Sequence, residues 1–239
     1  MMVNQLPTLP TPFADAALSH AVPTENGNLV SLDSILKPGP IANALDGLLQ
    51  RWGPGDRRAA ASLWTQGYFG RLLRPVIAYG LVHDIWFSLE LSDIYVGLSD
   101  LETPVRFVLK RAAPAPVSEH LGRIVEDNVK PLIVRMARVT ATSERVHWSN
   151  ASYTLCRACG HVRDLWQQET MPADVAVRLR EMEMHMSAVH PLFRLTHMVP
   201  DAARGICLQR KVCCIRYKLD GLKKCGTACP INAPTFCRR

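Results

Sequence analysis

Six cysteines stand within the last 39 residues of this 239-residue chain: Cys207, Cys213, Cys214, Cys225, Cys229 and Cys237. The central four read C-C-x10-C-x3-C and are followed by Pro230. Four thiolates drawn from two short chain segments suit a tetrahedral zinc ion or an iron–sulfur cluster. In extended backbone the side chains of Cys213 and Cys214 point to opposite faces, so both serve one centre only where the chain turns locally. Zinc sites usually take cysteines two to four residues apart, whereas a two-iron cluster offers ligand positions that lie farther apart. The adjacent pair therefore argues for [2Fe–2S] over zinc.

The charge is gathered in the same place. Residues 201–239 carry nine Lys or Arg against Asp201 and Asp220, and this stretch accounts for the whole formal net charge of +7. A basic tail is a common nucleic-acid footprint, but Tyr217 and Phe236 are its only stacking aromatics and no reader motif accompanies them, so no nucleic acid is expected. No basic residue precedes Lys37, and Pro7, Pro10 and Pro12 interrupt the N-terminal region, so no secretory signal is expected. The longest central apolar stretch, residues 75–82, falls far short of a membrane span. A cytoplasmic protein, or one peripheral to the inner face of a membrane, follows as the expectation. In that reducing compartment clustered thiols read as metal ligands sooner than as disulfides.

Other chemistry-bearing residues are weaker signals. Cys156-x2-Cys159 lacks the surroundings of a redox dithiol, and on a helix it reads as a half-buried pair, with a zinc site using His161 as the alternative. Met182, Met184 and Met186 do not share one helical face and read as packing or surface residues. His83-Asp84 reads as a helix-end pair, and His190 as serving the turn before Pro191. No Gly-rich dinucleotide fingerprint and no P-loop is present, so direct binding of NAD(P)H or flavin is not expected.

The elements that must position these residues are mostly helical. The first 30 residues read as irregular, with a short helix over 14–20. Helices are expected over 33–36 and 41–51, separated by the breaker Pro38-Gly39-Pro40. Asp56 caps a clear helix over 56–73, and Pro75 opens a second one through His83. Short β-rich runs at 85–91, 94–98 and 105–110 suggest a small antiparallel sheet. Further helices are expected over 117–139, with Pro131 kinking or splitting it, and over 143–159 and 173–189. The last 40 residues read as loop-like. The fold class is α+β and helix-rich: a body over 1–200 with a small antiparallel sheet, and a C-terminal iron–sulfur segment over 201–239.

The run Cys213-Cys214-Ile215-Arg216-Tyr217-Lys218-Leu219, then Cys225-Gly226-Thr227-Ala228-Cys229-Pro230, resembles the C-terminal signature of FhuF-type ferric-siderophore reductases. Ala61-Ser62-Leu63-Trp64 with Tyr68-Phe69, Pro131-Leu132-Ile133, the His147–Ala151 stretch and His190-Pro191-Leu192 are similar to the family's upstream segments, so the likeness spans roughly residues 56–230 in order. In that family four cysteines spaced C-C-x10-C-x2-C hold a [2Fe–2S] cluster. Here the last pair is x3, so the turn between two ligands is one residue longer, and either a wider loop absorbs it or Cys237 replaces a ligand. The resemblance implies metal ligands Cys213, Cys214, Cys225 and Cys229.

The resemblance further implies an oxidoreductase that passes one electron to Fe³⁺ in a siderophore, of hydroxamate type, and releases Fe²⁺. A four-thiolate [2Fe–2S] cluster carries a formal charge of about −2 oxidised and about −3 reduced. Nearby Arg216, Lys218, Lys223 and Lys224 are expected to favour the reduced form, or to dock a protein electron donor such as a ferredoxin or a reductase. Trp64, Tyr68, Trp148 and Asn150 are candidates to line a siderophore pocket, or else core residues of amphipathic helices. Two other functions stay open: a zinc-stabilised basic binding module, and a siderophore-binding protein whose cluster is structural. Cys207 and Cys237 have no assigned role.

Overall fold

Asp56 starts the helix around which the chain is organised. Its carboxylate accepts the Arg58 backbone N–H at 3.0 Å, a side-chain cap on an otherwise unpaired donor. In the computed structural model, which describes residues 6–9, 18–19, 29–100, 103–167, 169–188, 192–201 and 205–232, this helix α3 runs Arg57–His83 without a break. Pro75 therefore lies inside one helix and does not open a second, since a proline costs a long helix one hydrogen bond that packing here offsets. Tyr68, Phe69, Leu72, Leu73, Val76 and Ile77 are all fully buried, so α3 is apolar nearly all round, as a central helix must be. Asp84 ends it in the left-handed conformation (φ 53°) with its N–H returning to Gly80.

Before α3 come strands β1 (Leu18–Ser19) and β2 (Leu29–Ser31) and helices α1 (Leu32–Ile35) and α2 (Pro38–Trp52). Pro38-Gly39-Pro40 forms the first turn of α2 and does not break it, because first-turn N–H groups have no partner to lose. Of the helix expected over 14–20, Leu18–Ser19 is a strand, and the remaining positions lie outside the described residues. Strands β3 (Tyr95–Leu98) and β4 (Pro104–Val108) pair antiparallel, in the sheet order β1-β4-β3-β2. The β1–β4 pair is parallel. Residues 85–91 contribute only a bridge, Phe87 to Arg111, and no strand.

The helix expected over 117–139 is one rod in three registers. It comprises α4 (Val117–Arg123), a π-helical turn at Ile124–Val129 and α5 (Lys130–Thr140). Pro131 sits in the first turn of α5, and the wide turn before it accommodates the missing N–H. Helices α6 (Glu144–Asp164) and α7 (Ala173–Ala188) complete the helix-rich α+β fold. The C-terminal region is more ordered than a loop: β5 (Thr196–Asp201) and β6 (Gly205–Arg210) form a two-stranded antiparallel hairpin in register from Thr196–Arg210 to Asp201–Gly205. No helix among the described residues is long and apolar enough to cross a membrane.

Candidate metal centre and its adjoining cavity

Strand β6 delivers the chain to the cysteines. At Ile215 the backbone flips into the left-handed region (φ 50°), and the Ile215 N–H donates to Cys213 Sγ at 3.3 Å. This is the local turn that an adjacent cysteine pair requires. A β-branched residue there is strained, at a cost of order 1–3 kcal/mol, and the conformation persists only because the surroundings fix it. A 3₁₀ turn at Arg216–Lys218 follows, and Cys225 then leads into a second one at Gly226–Ala228. Gly226 takes φ 62°, and Cys229 closes the turn by donating its N–H to Gly226 O at 3.1 Å. The three residues between Cys225 and Cys229 thus form a tight turn. Cys237 lies outside the described residues.

Two of the four thiols meet directly: the Sγ atoms of Cys214 and Cys225 are 3.7 Å apart, while Cys229 bears electrostatically on both Cys213 and Cys225. With sulfur about 2.3 Å from a metal, two ligands of one tetrahedral ion stand roughly 3.8 Å apart, so the Cys214–Cys225 separation fits a shared metal without rearrangement. Among the described residues no three His, Cys, Asp or Glu side chains gather as the ligand set of one ion. Cys214 and Cys229 are buried, while Cys213 and Cys225 are half-buried.

Electrostatics favour thiolate at Cys214. The hydrogen bond with Cys225 pushes the Cys214 thiol down, aided by the Arg216 backbone N–H and by the Arg210 and Arg216 guanidinium groups; the same bond pushes Cys225 up. Burial pushes the Cys213 thiol up, and the Ile215 N–H opposes that. Arg210 is the residue that charge counting alone did not single out. It is only 5% exposed, lies 3.9 Å over the Tyr153 ring, and directs Nη1 at Cys225 Sγ, 3.7 Å away. Gln209 beside it donates to the carbonyls of Thr227 and Cys229, each at 3.3 Å, and so clamps the second turn. Both lie at the end of strand β6, in a region whose sequence reads as loop-like. The signal available was the turn glycine, Gly205, which takes φ 74°.

Of the basic residues expected to act on the cysteines, Arg216 is half-buried and bears on Cys214. Lys218 pairs with Asp56 at 3.4 Å, and Lys223 and Lys224 are exposed. Trp64, Tyr68 and Asn150 are core residues. Trp64 stacks on Tyr68 at 5.6 Å, the Tyr68 hydroxyl and the Asn128 amide hydrogen-bond each other, and Asn150 Nδ2 is shared by Ser62 and Thr65. Tyr68 and Asn150 are fully buried, so neither has surface left for a large ligand. Trp148 is half-buried and packs against the core.

A cavity of about 870 Å³ opens beside the thiols, between α6, α7 and the β5–β6 hairpin. Cys225, Gly226, Thr227 and Ala228 form part of its wall, with Tyr153, Arg157, Arg163, Asp164, Glu183, Met198 and Ile206. Cys156, Cys159 and Cys207 also line it. Cys156 contacts the Thr196 hydroxyl at 3.5 Å and Cys159 contacts Met186 Sδ at 3.6 Å, and burial pushes both thiols up, as for inert core cysteines. His161 faces away from them: its ring nitrogens meet Arg74 at 3.2 Å and Arg157 at 2.6 Å. Met182 and Met186 are buried and Met184 is exposed, as packing and surface residues. His83-Asp84 closes α3, with Asp84 accepting from Trp86 Nε1 at 3.1 Å; His190 lies outside the described residues.

A helical body ends here in a cysteine-bearing turn beside a ligand-sized cavity, and comparison identifies the family. Residues 62–204 match the family model described as ferric iron reductase FhuF-like transporter, and the chain belongs to that family. The matched segment ends before Cys213, so the cysteine constellation rests on its own residues. The chain is 19% identical over 176 residues to the ferric siderophore reductase of Escherichia coli (strain K12), covering 72% of this chain and 65% of that protein. It thus spans just under two thirds of that relative's length. Among solved structures it is similar to ATP-bound aerobactin synthetase IucA from a hypervirulent Klebsiella pneumoniae, at 12% identity and a TM-score of 0.45, over 64% of this chain and 34% of the other. That likeness is too loose to define a common fold.

Proposed function

We propose that this chain is a ferric-siderophore reductase, with a [2Fe–2S] cluster held by Cys213, Cys214, Cys225 and Cys229 and a siderophore seated in the adjoining cavity. The observation that carries the reading is the placement of the Cys225–Ala228 turn, which belongs to the thiol site on one side and to the cavity wall on the other. Membership of the FhuF family and the likeness to a named ferric siderophore reductase point the same way.

A cluster so bound supplies one-electron reduction, which frees siderophore iron because hard oxygen donors hold Fe²⁺ far more weakly than Fe³⁺. The chain's own groups bind and orient. The thiol pairing gives the separation that a shared metal needs, and Arg210 and Arg216 set positive charge beside the thiolates. The cavity volume falls within the range of small-molecule sites. Its charged lining is balanced, Arg157 and Arg163 against Asp164 and Glu183, with the exposed apolar side chains of Met198 and Ile206 beside them. A balanced lining suits an uncharged complex. Three hydroxamates neutralise Fe³⁺, whereas three catecholates leave a trianion, so the hydroxamate class is the better fit.

Anaerobically purified protein is expected to contain iron and acid-labile sulfide in equal amounts, to bleach on reduction, and to recover its visible absorbance when a ferric trihydroxamate is added. Zinc without sulfide would overturn the reading in favour of a zinc-stabilised module. A cluster that does not reoxidise would reduce it to a structural element of a siderophore-binding protein.

A further inference from the structure

Residues 216–224 form a platform fixed to the corner between α2 and α3. Gly221 N–H donates to Trp52 O at 2.6 Å, Asp220 N–H to Pro54 O at 3.4 Å, and Leu219 bridges Gly55. A Cβ on Gly221 would lie 2.7 Å from Trp52 O, so the contact is close as well as hydrogen-bonded. Arg216 Nε ties the platform to itself through Lys223 O at 3.0 Å. Lys218 shares Asp56 with Arg58.

The surface so built is strongly positive. Arg58, Lys218, Lys223 and Lys224 are exposed and Arg216 is half-buried, against Asp56 and Asp220. Tyr217, 37% exposed, is its one aromatic. None of these residues lines the cavity beside Cys225. The platform nevertheless connects the two halves of the cysteine constellation, since Cys214 precedes it by one residue from Ile215 and Cys225 follows it directly.

We propose that this platform is the docking surface for a small acidic electron-carrier protein. The proposal rests on the reductase reading, in which the carrier gives up one electron and the metal centre of this chain gains it, with no bond or proton exchanged. A fixed cationic platform next to the redox site meets the two needs of such an encounter. It steers an anionic partner from a distance and holds it briefly over the centre. A single-stranded nucleic acid would need a row of stacking aromatics along such a surface, and here there is one. With the cavity wall on the Cys225–Ala228 side, donor and siderophore would have separate approaches to the same four thiols.

The test measures binding of the full chain to an acidic plant-type [2Fe–2S] ferredoxin by calorimetry. Affinity is expected to fall by about tenfold or more between about 20 mM and 300 mM salt. The double charge reversal Lys223→Glu with Lys224→Glu is expected to weaken low-salt binding by a similar factor, while circular dichroism stays as in the parent. Absent binding, or binding indifferent to salt and to the reversal, overturns the proposal. So does stronger binding of a single-stranded oligonucleotide at the same site. Cys214→Ser separates this proposal from the one beneath it: retained ferredoxin binding supports the platform, whereas iron and sulfide content judge the cluster independently.

Discussion

Arg210 places its Nη1 3.7 Å from Cys225 Sγ while its guanidinium lies flat over Tyr153, and the pairing joins the end of a β-hairpin to the thiol site. The stacked face and the buried position fix the cation's direction, which an exposed lysine could not do. With the proposed cluster bound, Arg210→Gln removes a positive charge beside the Cys225 sulfur, so the more negative reduced centre loses stabilisation and the midpoint potential should fall, by about tens of millivolts. Redox titration of the purified protein checks this. An unchanged or raised potential would show that Arg210 acts only by packing.

Ile215 offers a backbone test. Ile215→Gly suits φ 50° and should leave metal content intact. Ile215→Pro locks φ near −65° and removes the N–H that Cys213 accepts, so it should cost about 3 kcal/mol or more and abolish metal retention. Gly226→Ala is milder. A Cβ there meets nothing within 4 Å, so only the positive φ opposes it, at about 1 kcal/mol. Iron analysis with urea unfolding ranks the three variants, and retention of metal by the proline variant would sink the account of the turn.

Tyr68→Phe separates core from pocket. The change removes a hydroxyl that is buried and paired with Asn128, leaving that amide short of a partner, for a loss of about 1–3 kcal/mol. Siderophore affinity should not move, because the ring has no exposed surface. A weakened siderophore Kd with unchanged stability would return Tyr68 to the binding site.

His147 sets an acid limit on stability. Thr65 donates its hydroxyl to Ser62 O, so His147 Nδ1–H donates to Thr65 Oγ1, and the ring is buried neutral. Burial lowers it from the ordinary 6.5 to about 4. As pH falls below 6.5 the unfolded chain takes up a proton that the folded chain refuses, so stability is full above that value. It is lost progressively down to pH 4, by on the order of 3 kcal/mol. Chemical unfolding at pH 7 and pH 5 should show a clear drop in the parent chain and a smaller one in His147→Gln. Equal drops would mean that the loss belongs to other groups.

Much of this protein is written locally. The helix capped by Asp56, the helices over 117–139, 143–159 and 173–189 and two of the three strand segments announce themselves through caps, turn residues and periodicity, signals that act within a few residues. The misreadings share a cause. Pro38-Gly39-Pro40 reads locally as a breaker and Pro75 as the start of a second helix, but proline costs little in a first turn, and inside α3 its cost is offset by burial that only the folded chain supplies. The β5–β6 hairpin is not legible locally, because its alternation is weak and Pro200 and Gly205 obscure it; pairing and the floor of α6 beneath it hold it in place.

The sequence by itself determined which chemistry is on offer, because thiol type and spacing are covalent facts: Cys213, Cys214, Cys225 and Cys229 can approach one another only through two short turns, whatever the rest of the chain does. Tertiary structure alone decided how they are shared. It set Cys214 against Cys225, brought Arg210 across from a strand, consigned Tyr68 and Asn150 to the core, and laid the Cys225–Ala228 turn along a cavity walled by helices that lie well before it in the chain. Those outcomes depend on packing between segments distant in the chain, where burial and hydrogen-bond satisfaction outweigh any local preference.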